Sequence, residues 1–254
     1  MATGQSRPDI PGTRRPDSLA ALESAALLQE VVPDAVLVGD SAAALYGDHR
    51  ASSVHDHVLN DLAERYDAVL EAIEATDGWV TNRLTPGKVI LGELGGTETG
   101  VRQLIRKVPL EVAEVELPSG HTLRVPTPDE ALRVKGNLIV RRNQARDYLD
   151  VAALSDRYGI AHAGKVLANM DRYYADQRGP EAVGVATQLI RQLASPQQKI
   201  AARPSNCPDT KISTRVGPNG KQLPVYVKRS LSRWRWDSLP SPHLVTNEHR
   251  SQVP

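Results

Sequence analysis

The stretch Val36–Val58 reads V-L-V-G-D-S-A-A-A-L-Y-G-D-H-R-A-S-S-V-H-D-H-V, and the rest of the chain is best understood from it. An apolar run, Ala35–Val38, ends in Gly39-Asp40-Ser41 and is followed by an alanine-rich segment typical of a helix. Free backbone N–H groups at the start of a helix can hold a phosphate group. The carboxylate of Asp56, further along, can hold Mg²⁺ against that phosphate. The stretch therefore predicts a strand, a turn of small residues and a phosphate-binding helix start.

Periodicity and turn residues predict the elements on either side of this stretch. In chain order they are a helix from Asp17-Ser18 to Val32, an amphipathic helix over Val58–Ala75, strands over Trp79–Arg83 and Lys88–Leu91, a glycine-rich segment over Gly92–Gly100, a short helix-like turn carrying Arg102 and Arg106, and a hairpin of Pro109–Leu117 with His121–Val125. A helix, a strand, a helix and then several strands is an α+β order.

The second half of the chain reads as helical. Thr127-Pro128-Asp129-Glu130 has the pattern of a capping box, with Thr127 as the N-cap, and it predicts the start of a helix. That helix continues to Tyr158, either as one long helix or as two helices broken near Asn143. Two more helices are expected over Ala161–Asp176 and Pro180–Leu193.

Composition sets the domain organisation and excludes some classes of protein. The 254 residues carry a net charge of +1 and one cysteine, Cys207, which excludes an internal disulfide framework. No apolar run approaches the length of a membrane span, so we expect a soluble, cytoplasmic protein. We expect a flexible leader over 1–16, a first domain over 17–126, a helical domain over 127–196 and a disordered tail over 197–254.

Basic residues on the first helix of the second half form a candidate phosphate site. If that helix is continuous, Lys135, Arg142 and Arg146 lie within roughly 40° of one another around its axis. Such a cationic ridge suits a triphosphate. The alternative is an ordinary solvated face, in which Arg146 and Asp150 form an i, i+4 pair.

The triplet His55-Asp56-His57 is a candidate metal site. Residues i and i+2 of a strand share a face, so the two histidines point together and Asp56 points away from them. A zinc site on the histidines lacks an evident third ligand, whereas Asp56 alone suits Mg²⁺. The remaining alternative is that Asp56 caps the helix predicted to follow it.

Two groups of residues together resemble a known family. Gly39, Ser41 and Asp56 match a small-residue turn followed by the second carboxylate of an Asp-x-Asp pair. Further along, a lysine and an Arg-Asp-x-x-Asp signature are matched by Lys135, Arg142, Arg146, Asp147 and Asp150. Over roughly residues 30–160 the chain resembles the AbiEii/AbiGii-type nucleotidyltransferase toxins of the DNA polymerase β-like nucleotidyltransferase superfamily.

The resemblance implies a nucleotidyltransferase-fold mixed sheet with flanking helices, followed by a helical part. It implies Mg²⁺-dependent transfer of a nucleoside monophosphate from an NTP to a hydroxyl, with tRNA 3′ ends as a possible acceptor and an antitoxin as a partner. Gly39 and Ser41 would bind phosphate, and Asp56 would be the metal ligand and a catalytic residue.

In the helical part the resemblance assigns Lys135 and Asp147 to catalysis. It assigns the triphosphate charge to Lys135 together with Arg142 and Arg146. A third carboxylate is expected on a central strand, and the candidates are Glu111, Glu114 and Glu116, with Asp147 as a competitor.

Two positions depart from the family pattern. Asp40 stands where relatives have a small residue, and Val54 stands where the first Asp of the metal-binding pair belongs. A valine cannot ligate Mg²⁺, and a carboxylate repels phosphate. These positions favour a second hypothesis, a pseudoenzyme that binds nucleotide or RNA without turnover. A third hypothesis is a partner-binding regulatory protein on the same scaffold.

Overall fold

The computed structural model describes residues 11–14, 16–177 and 182–196. The strands in these ranges are β1 (Val36–Val38), β2 (His55–Leu59), β3 (Trp79–Thr85), β4 (Val89–Leu94), β5 (Thr97–Gln103), β6 (Val112–Glu116) and β7 (Thr122–Pro126). The α-helices are α1 (Pro16–Val31), α2 (Gly39–Gly47), α3 (Tyr66–Glu74), α4 (Pro128–Arg142), α5 (Ala145–Tyr158), α6 (Ile160–Ala168), α7 (Asp171–Tyr174) and α8 (Val185–Ala194).

Five of the strands form one mixed sheet in the order β1-β2-β5-β4-β3. The central pair, β2 and β5, is parallel, and the other neighbouring strands are antiparallel. Strands β6 and β7 form a separate hairpin. Mixed strand directions with helices packed beside the sheet confirm the predicted α+β fold class.

The two faces of the five-stranded sheet differ in burial. Along β2, His55, His57 and Leu59 are buried, whereas Asp56 and Val58 are partly exposed. Helix α1 packs against β2 and β5 on the buried side. The other side, which carries Asp56, is called the open face below.

Two clusters of buried apolar side chains hold these layers together. The smaller lies between the sheet, α1 and α3, and it includes Leu28, Ile73 and Val101. The larger joins α1 and α2 to the β6–β7 hairpin and to α4, α5, α6 and α8. Each fully buried aliphatic side chain stabilises the fold by about 1.5–3 kcal/mol. The predicted boundary at 126/127 stays a prediction.

Two predicted elements are wrong. The predicted helix Val58–Ala75 is in fact the end of β2 followed, after a turn, by α3 from Tyr66. Leu59 fits a helical spacing with the apolar residues after it, but it also continues the period-two alternation of His55 and His57. The segment forms a strand because it pairs with β1 and β5.

The predicted helix-like turn after Gly92–Gly100 is also wrong, because Arg102 lies on strand β5. The glycine-rich segment itself belongs to strands β4 and β5 and the turn between them. The two end glycines are needed for side-chain packing. A Cβ on Gly92 would lie 2.4 Å from the Trp79 ring, and one on Gly100 would lie 2.4 Å from Leu91 Cδ2.

Several other predictions are confirmed. The hairpin forms as β6 and β7, and the Thr127 hydroxyl accepts a hydrogen bond from the Glu130 backbone N–H at 3.2 Å. The segment that follows Thr127 forms two helices, α4 and α5, as in the alternative with a break near Asn143. Asn143 adopts a left-handed conformation with φ of 53° and ends α4, and its side-chain oxygen accepts a hydrogen bond from the Tyr148 hydroxyl.

Parts of the predicted termini lie outside the described residues. These are residues 1–10 and Arg15 of the leader, residues 178–181, and the whole of the predicted tail, 197–254. Within the leader, Pro11–Arg14 forms a single 3-10 turn. Among the described helices, none combines the length and apolar composition needed to cross a bilayer.

Candidate functional site

The junction of β1 and α2 at Val38–Asp40, called the Gly39 turn below, lies beside Asp56 of the open face. Helix α2 begins directly at Gly39, whose φ of 76° favours glycine. Within the described part of the chain, no side chain caps the N-terminus of this helix. A Cβ built on Gly39 lies 3.6 Å from Asp56 Oδ2, so the predicted metal ligand and the predicted phosphate-binding turn are neighbours.

Ser41, the other predicted phosphate ligand, has a buried side chain. Its hydroxyl donates to the carbonyl oxygen of Val54 and lies 2.9 Å from the Ser52 hydroxyl. These bonds tie α2 to the segment that leads into β2. The Ser41 hydroxyl is thus engaged within the protein, and a ligand at the turn would meet backbone N–H groups of α2 instead.

The strand beside Asp56 carries no carboxylate at the facing position. Gly100 of β5 pairs directly with Asp56, and the Leu91 side chain fills the space above Gly100. Arg102 lies further along β5, and its Nε is 3.3 Å from Asp56 Oδ1. The Asp56 carboxylate is therefore paired with a guanidinium group and is 40% exposed.

The predicted third carboxylates lie elsewhere. Glu114 and Glu116 are on β6, which belongs to the separate hairpin, and Glu111 precedes that strand. Glu111 accepts a hydrogen bond from the Tyr173 hydroxyl at 3.0 Å and pairs with Arg133. None of the three glutamates belongs to the five-stranded sheet that carries Asp56.

A buried ionic cluster lies behind the Gly39 turn, where α2, α4 and α5 meet. We call Asp40, Lys135, Asp147 and Asp150 the Lys135 cluster. Lys135 Nζ lies 2.6 Å from Asp40 Oδ1, 2.6 Å from Asp150 Oδ2 and 3.8 Å from Asp147 Oδ1. The side chains of Lys135, Asp147 and Asp150 are at most 1% exposed. Each charge is thus compensated inside the protein, as buried charges require.

Arginine side chains surround the Lys135 cluster. Arg142 forms two hydrogen bonds to Asp147, at 2.6 and 2.7 Å, and Arg146 donates to Asp40 at 3.2 Å. The structure therefore brings together all three predicted triphosphate residues. The geometry differs from the continuous helix considered above, because Arg142 is the last residue of α4, before the C-cap Asn143, and Arg146 lies on α5.

Two site residues were missed in the sequence. His49 Nε2 lies 2.6 Å from Asp150 Oδ1, and Arg50 makes two hydrogen bonds to Asp150 as well as an ion pair with Asp40 at 3.0 Å. Both residues directly follow α2 and the left-handed residue Asp48. The adjacent Asp-His-Arg run within the opening stretch was the available signal.

Neighbouring cations favour the charged form of two of these carboxylates, Asp40 and Asp150. Burial raises the pKa of the Asp40 carboxyl, but Lys135 and Arg50 outweigh it and hold the pKa at about 2. Burial acts in the same way on Asp150, and the hydrogen bond from His49 with the charges of Lys135 and Arg50 holds its pKa well below the usual range. The stabilisation from these carboxylates is therefore present above the unfolded-state pKa and is lost only as the pH falls towards their folded-state values.

The three carboxylates of the Lys135 cluster have the spacing of a metal site. One oxygen each from Asp40, Asp147 and Asp150 lies within 4.8 Å of the others. Lys135 Nζ, however, already provides the positive charge at this place. A divalent ion there would have to displace a buried ammonium group, so the triad with Lys135 in place does not fit a resident metal. The assignment of Mg²⁺ to Asp56 stays a prediction.

His55 and His57 point away from Asp56, as predicted for a strand. Their rings make an edge-to-face contact with centroids 5.2 Å apart. His55 is hydrogen-bonded to Ser24 at 3.0 Å and to Thr99 at 2.8 Å, so both of its ring nitrogens are engaged. The described residues place no group of three metal ligands around this pair.

Because both histidines are buried, we expect the protein to lose stability in mild acid. Burial lowers the pKa of His55 from 6.5 to about 4, and burial followed by the charge of His55 lowers the pKa of His57. Below pH 6.5 the unfolded chain takes up protons that the folded chain excludes, so the free energy of unfolding decreases as the pH is lowered. Between pH 7.5 and pH 5 we expect His55 to account for a decrease of about 2 kcal/mol in the free energy of unfolding, which urea unfolding measures.

His55→Gln should reduce this pH-dependent loss by that amount. The control is His162→Gln, because His162 is half exposed and pairs with Asp129 on the surface. An equal slope of stability against pH in the native chain and in His55→Gln would contradict the prediction.

Comparison with solved structures gives likenesses to nucleotidyltransferases. The toxin MenT4 from Mycobacterium tuberculosis H37Rv is 20% identical, with a TM-score of 0.44 and coverage of 67% of this chain and 71% of that chain. A nucleotidyltransferase-like protein from Paracoccidioides brasiliensis is 13% identical, with a TM-score of 0.42 and coverage of 68% and 92%. Likenesses of this size do not assign a function to this chain.

The relatives found by sequence differ from these structures, because none of those given below is named as a nucleotidyltransferase. No model of a known protein family matches the chain. The heme uptake protein MmpL11 of Mycobacterium tuberculosis H37Rv is 36% identical over 193 residues, which cover 71% of this chain and 20% of that protein. The mycolic acid-containing lipids exporter MmpL11 of Mycolicibacterium smegmatis is 43% identical over 117 residues, covering 46% and 11%. The chain thus spans at most about a fifth of the length of these relatives.

Proposed function

We propose that the chain is a nucleotidyltransferase-like protein that binds a nucleoside triphosphate at the Gly39 turn and does not transfer it. The support for binding is the uncapped start of α2, next to the side chains of Arg50, Arg102 and Arg146. Backbone N–H groups and guanidinium groups are the donors that phosphate oxygens prefer. We further propose a cytoplasmic location, because NTPs are available there.

The absence of transfer rests on one observation, the surroundings of Asp56. Two-metal transfer requires carboxylates that hold ions against both the attacking and the leaving oxygen. Here Val54 stands before Asp56, Gly100 faces it, and Arg102 is paired with it. A single carboxylate bound to a guanidinium group is a poor ligand set for Mg²⁺.

The second candidate is the active enzyme of the family that the sequence resembles. In that case the chain is a toxin that transfers a nucleoside monophosphate with Mg²⁺ on Asp56, with tRNA as acceptor and an antitoxin as partner. The observation in its favour is that Lys135, Asp147 and Asp150, matched to the family signature, lie together in the fold. Asp147 is fully buried and paired with Arg142, so its carboxylate is better suited to positioning that cation than to transferring a proton.

A third candidate is a regulatory domain that binds a protein partner. The observation in its favour is the match to one part of much longer relatives, a heme uptake protein and a lipid exporter. A nucleotide-binding domain without turnover is compatible with such a role.

Direct binding tests the proposal. We expect the native chain to bind at least one NTP saturably in isothermal titration calorimetry with Mg²⁺. Arg146→Gln should weaken that binding about tenfold, because a charge-assisted hydrogen bond to phosphate is lost. Arg65→Gln is the matched control, since Arg65 pairs with Asp34 and Asp61 outside the site. Absence of binding of all four NTPs, or equal effects of the two variants, would contradict the proposal.

A further inference from the structure

The carboxylate of Asp40 is bound by three cationic side chains. Its Oδ1 lies 2.6 Å from Lys135 Nζ and 3.0 Å from an Arg50 nitrogen, and its Oδ2 lies 3.2 Å from an Arg146 nitrogen. The three cations come from α4, from the segment after α2, and from α5. Separate parts of the fold thus converge on one anionic group.

The place of Asp40 in the fold is the place where a phosphate is expected. Asp40 is the second residue of α2 and directly follows Gly39 at the uncapped helix start. Its side chain is 15% exposed, whereas the Lys135 side chain is 1% exposed. The cluster therefore meets solvent at Asp40 and at the surrounding arginines, and Lys135 is covered.

The same donors serve carboxylate and phosphate. Ammonium and guanidinium groups bind both anions through short, charge-assisted hydrogen bonds. One ammonium and two guanidinium groups lie 2.6–3.2 Å from the two carboxylate oxygens of Asp40. Two oxygens of a phosphate group could accept hydrogen bonds from the same three groups. Asp40 supplies this anion from within the chain.

We propose that Asp40 is a built-in competitor of the ligand, which occupies the phosphate site in the free protein and so lowers the affinity of the native chain for nucleotide. A polyphosphate gains Lys135, Arg50 and Arg146 only when it displaces the Asp40 carboxylate. This inference deepens the proposed function and rests on it for the ligand, the phosphate chain of a nucleotide. A triphosphate competes better than a monophosphate, because it carries more charge to the same cations.

Removal of the carboxylate should open the site. The probe is inorganic tripolyphosphate without metal, titrated calorimetrically into the full chain. We expect Asp40→Asn, which keeps the shape of the side chain, to bind at least tenfold more tightly than the native chain. Asp40→Ser serves as a second variant, and thermal unfolding of both verifies that they are folded.

Two further variants separate a specific site from a general change in charge. Asp34→Asn alters the net charge equally but removes an anion paired with Arg65 on the surface, so it should bind like the native chain. Adding Arg146→Gln to Asp40→Asn should reverse most of the gain. Equal affinity of the native chain and both Asp40 variants, or an equal gain in Asp34→Asn, would overturn the inference.

The outcome is separable from that of the proposed function. If the native chain binds an NTP and folded Asp40 variants gain no affinity for tripolyphosphate, the inference fails and the function stands. If the native chain binds no NTP while Asp40→Asn gains affinity for tripolyphosphate, nucleotide binding by the native chain fails and the anion site stands.

Discussion

Replacing Glu130 by Gln is expected to lower the free energy of unfolding by about 3–5 kcal/mol, because it leaves a buried guanidinium group without its counter-ion. Glu130 is fully buried, and its Oε1 lies 2.8 Å from Arg106. The Arg106 side chain is 1% exposed and lies 5.0 Å from the centre of the Tyr174 ring. Arg106 also donates to the carbonyl oxygens of Val108 and Pro109, which are neutral.

Glu111→Gln is the matched control for this change. Glu111 also pairs with an arginine, Arg133, at 3.0 Å, but it is 45% exposed, and Arg133 keeps Glu130 as a second partner. We expect this control to lose less than about 1 kcal/mol. Urea unfolding of both variants measures the difference, and equal losses would show that burial of Arg106 does not decide the effect.

Replacing Lys135 by Met is expected to lower the free energy of unfolding by about 3 kcal/mol. The apolar stem is kept, but the buried carboxylates of Asp147 and Asp150 lose a shared cation. The expected loss lies at the low end for buried ion pairs because other cations remain. Arg142 still holds Asp147, and Arg50 still holds Asp150.

The control for Lys135 is Lys165→Met, at an exposed position of α6, which we expect to change stability by less than about 0.5 kcal/mol. A second check is the double variant Lys135→Met with Asp150→Asn. Because the two side chains are in contact, its loss should be smaller than the sum of the single losses. A loss below about 1 kcal/mol for Lys135→Met alone would contradict the description of the cluster as buried and mutually compensated.

Local signals in the sequence were sufficient for much of the fold. The Gly39 turn, the helix after it and the Thr127 N-cap depend on residues within a few positions of one another, and all three are confirmed. The separation of Asp56 from the histidines also followed from the two-residue period of a strand. The confirmed α+β class rests on this order of local elements.

Contacts between distant residues explain what the sequence did not predict. Gly92 and Gly100 were not assigned to strands, because their sequence neighbourhood does not show that the side chains of Trp79 and Leu91 fill the space beside them. The ion pairs of Arg50 with Asp150 and of Lys135 with Asp40 join residues about 100 positions apart. The sequence identified Lys135 as a cation, but only the fold shows that Asp40 neutralises it.

The measurement that tests the account most directly uses one labelled sample. The native chain is incubated with Mg²⁺, total tRNA and each α-labelled NTP in turn. The label bound to protein is then counted, and its chemical form is determined by chromatography. We predict that one or more nucleotides are retained as unchanged triphosphate, with no label on RNA. Label on RNA that Asp56→Ala abolishes, or no retained nucleotide at all, would contradict a nucleotidyltransferase-like protein that binds without transfer.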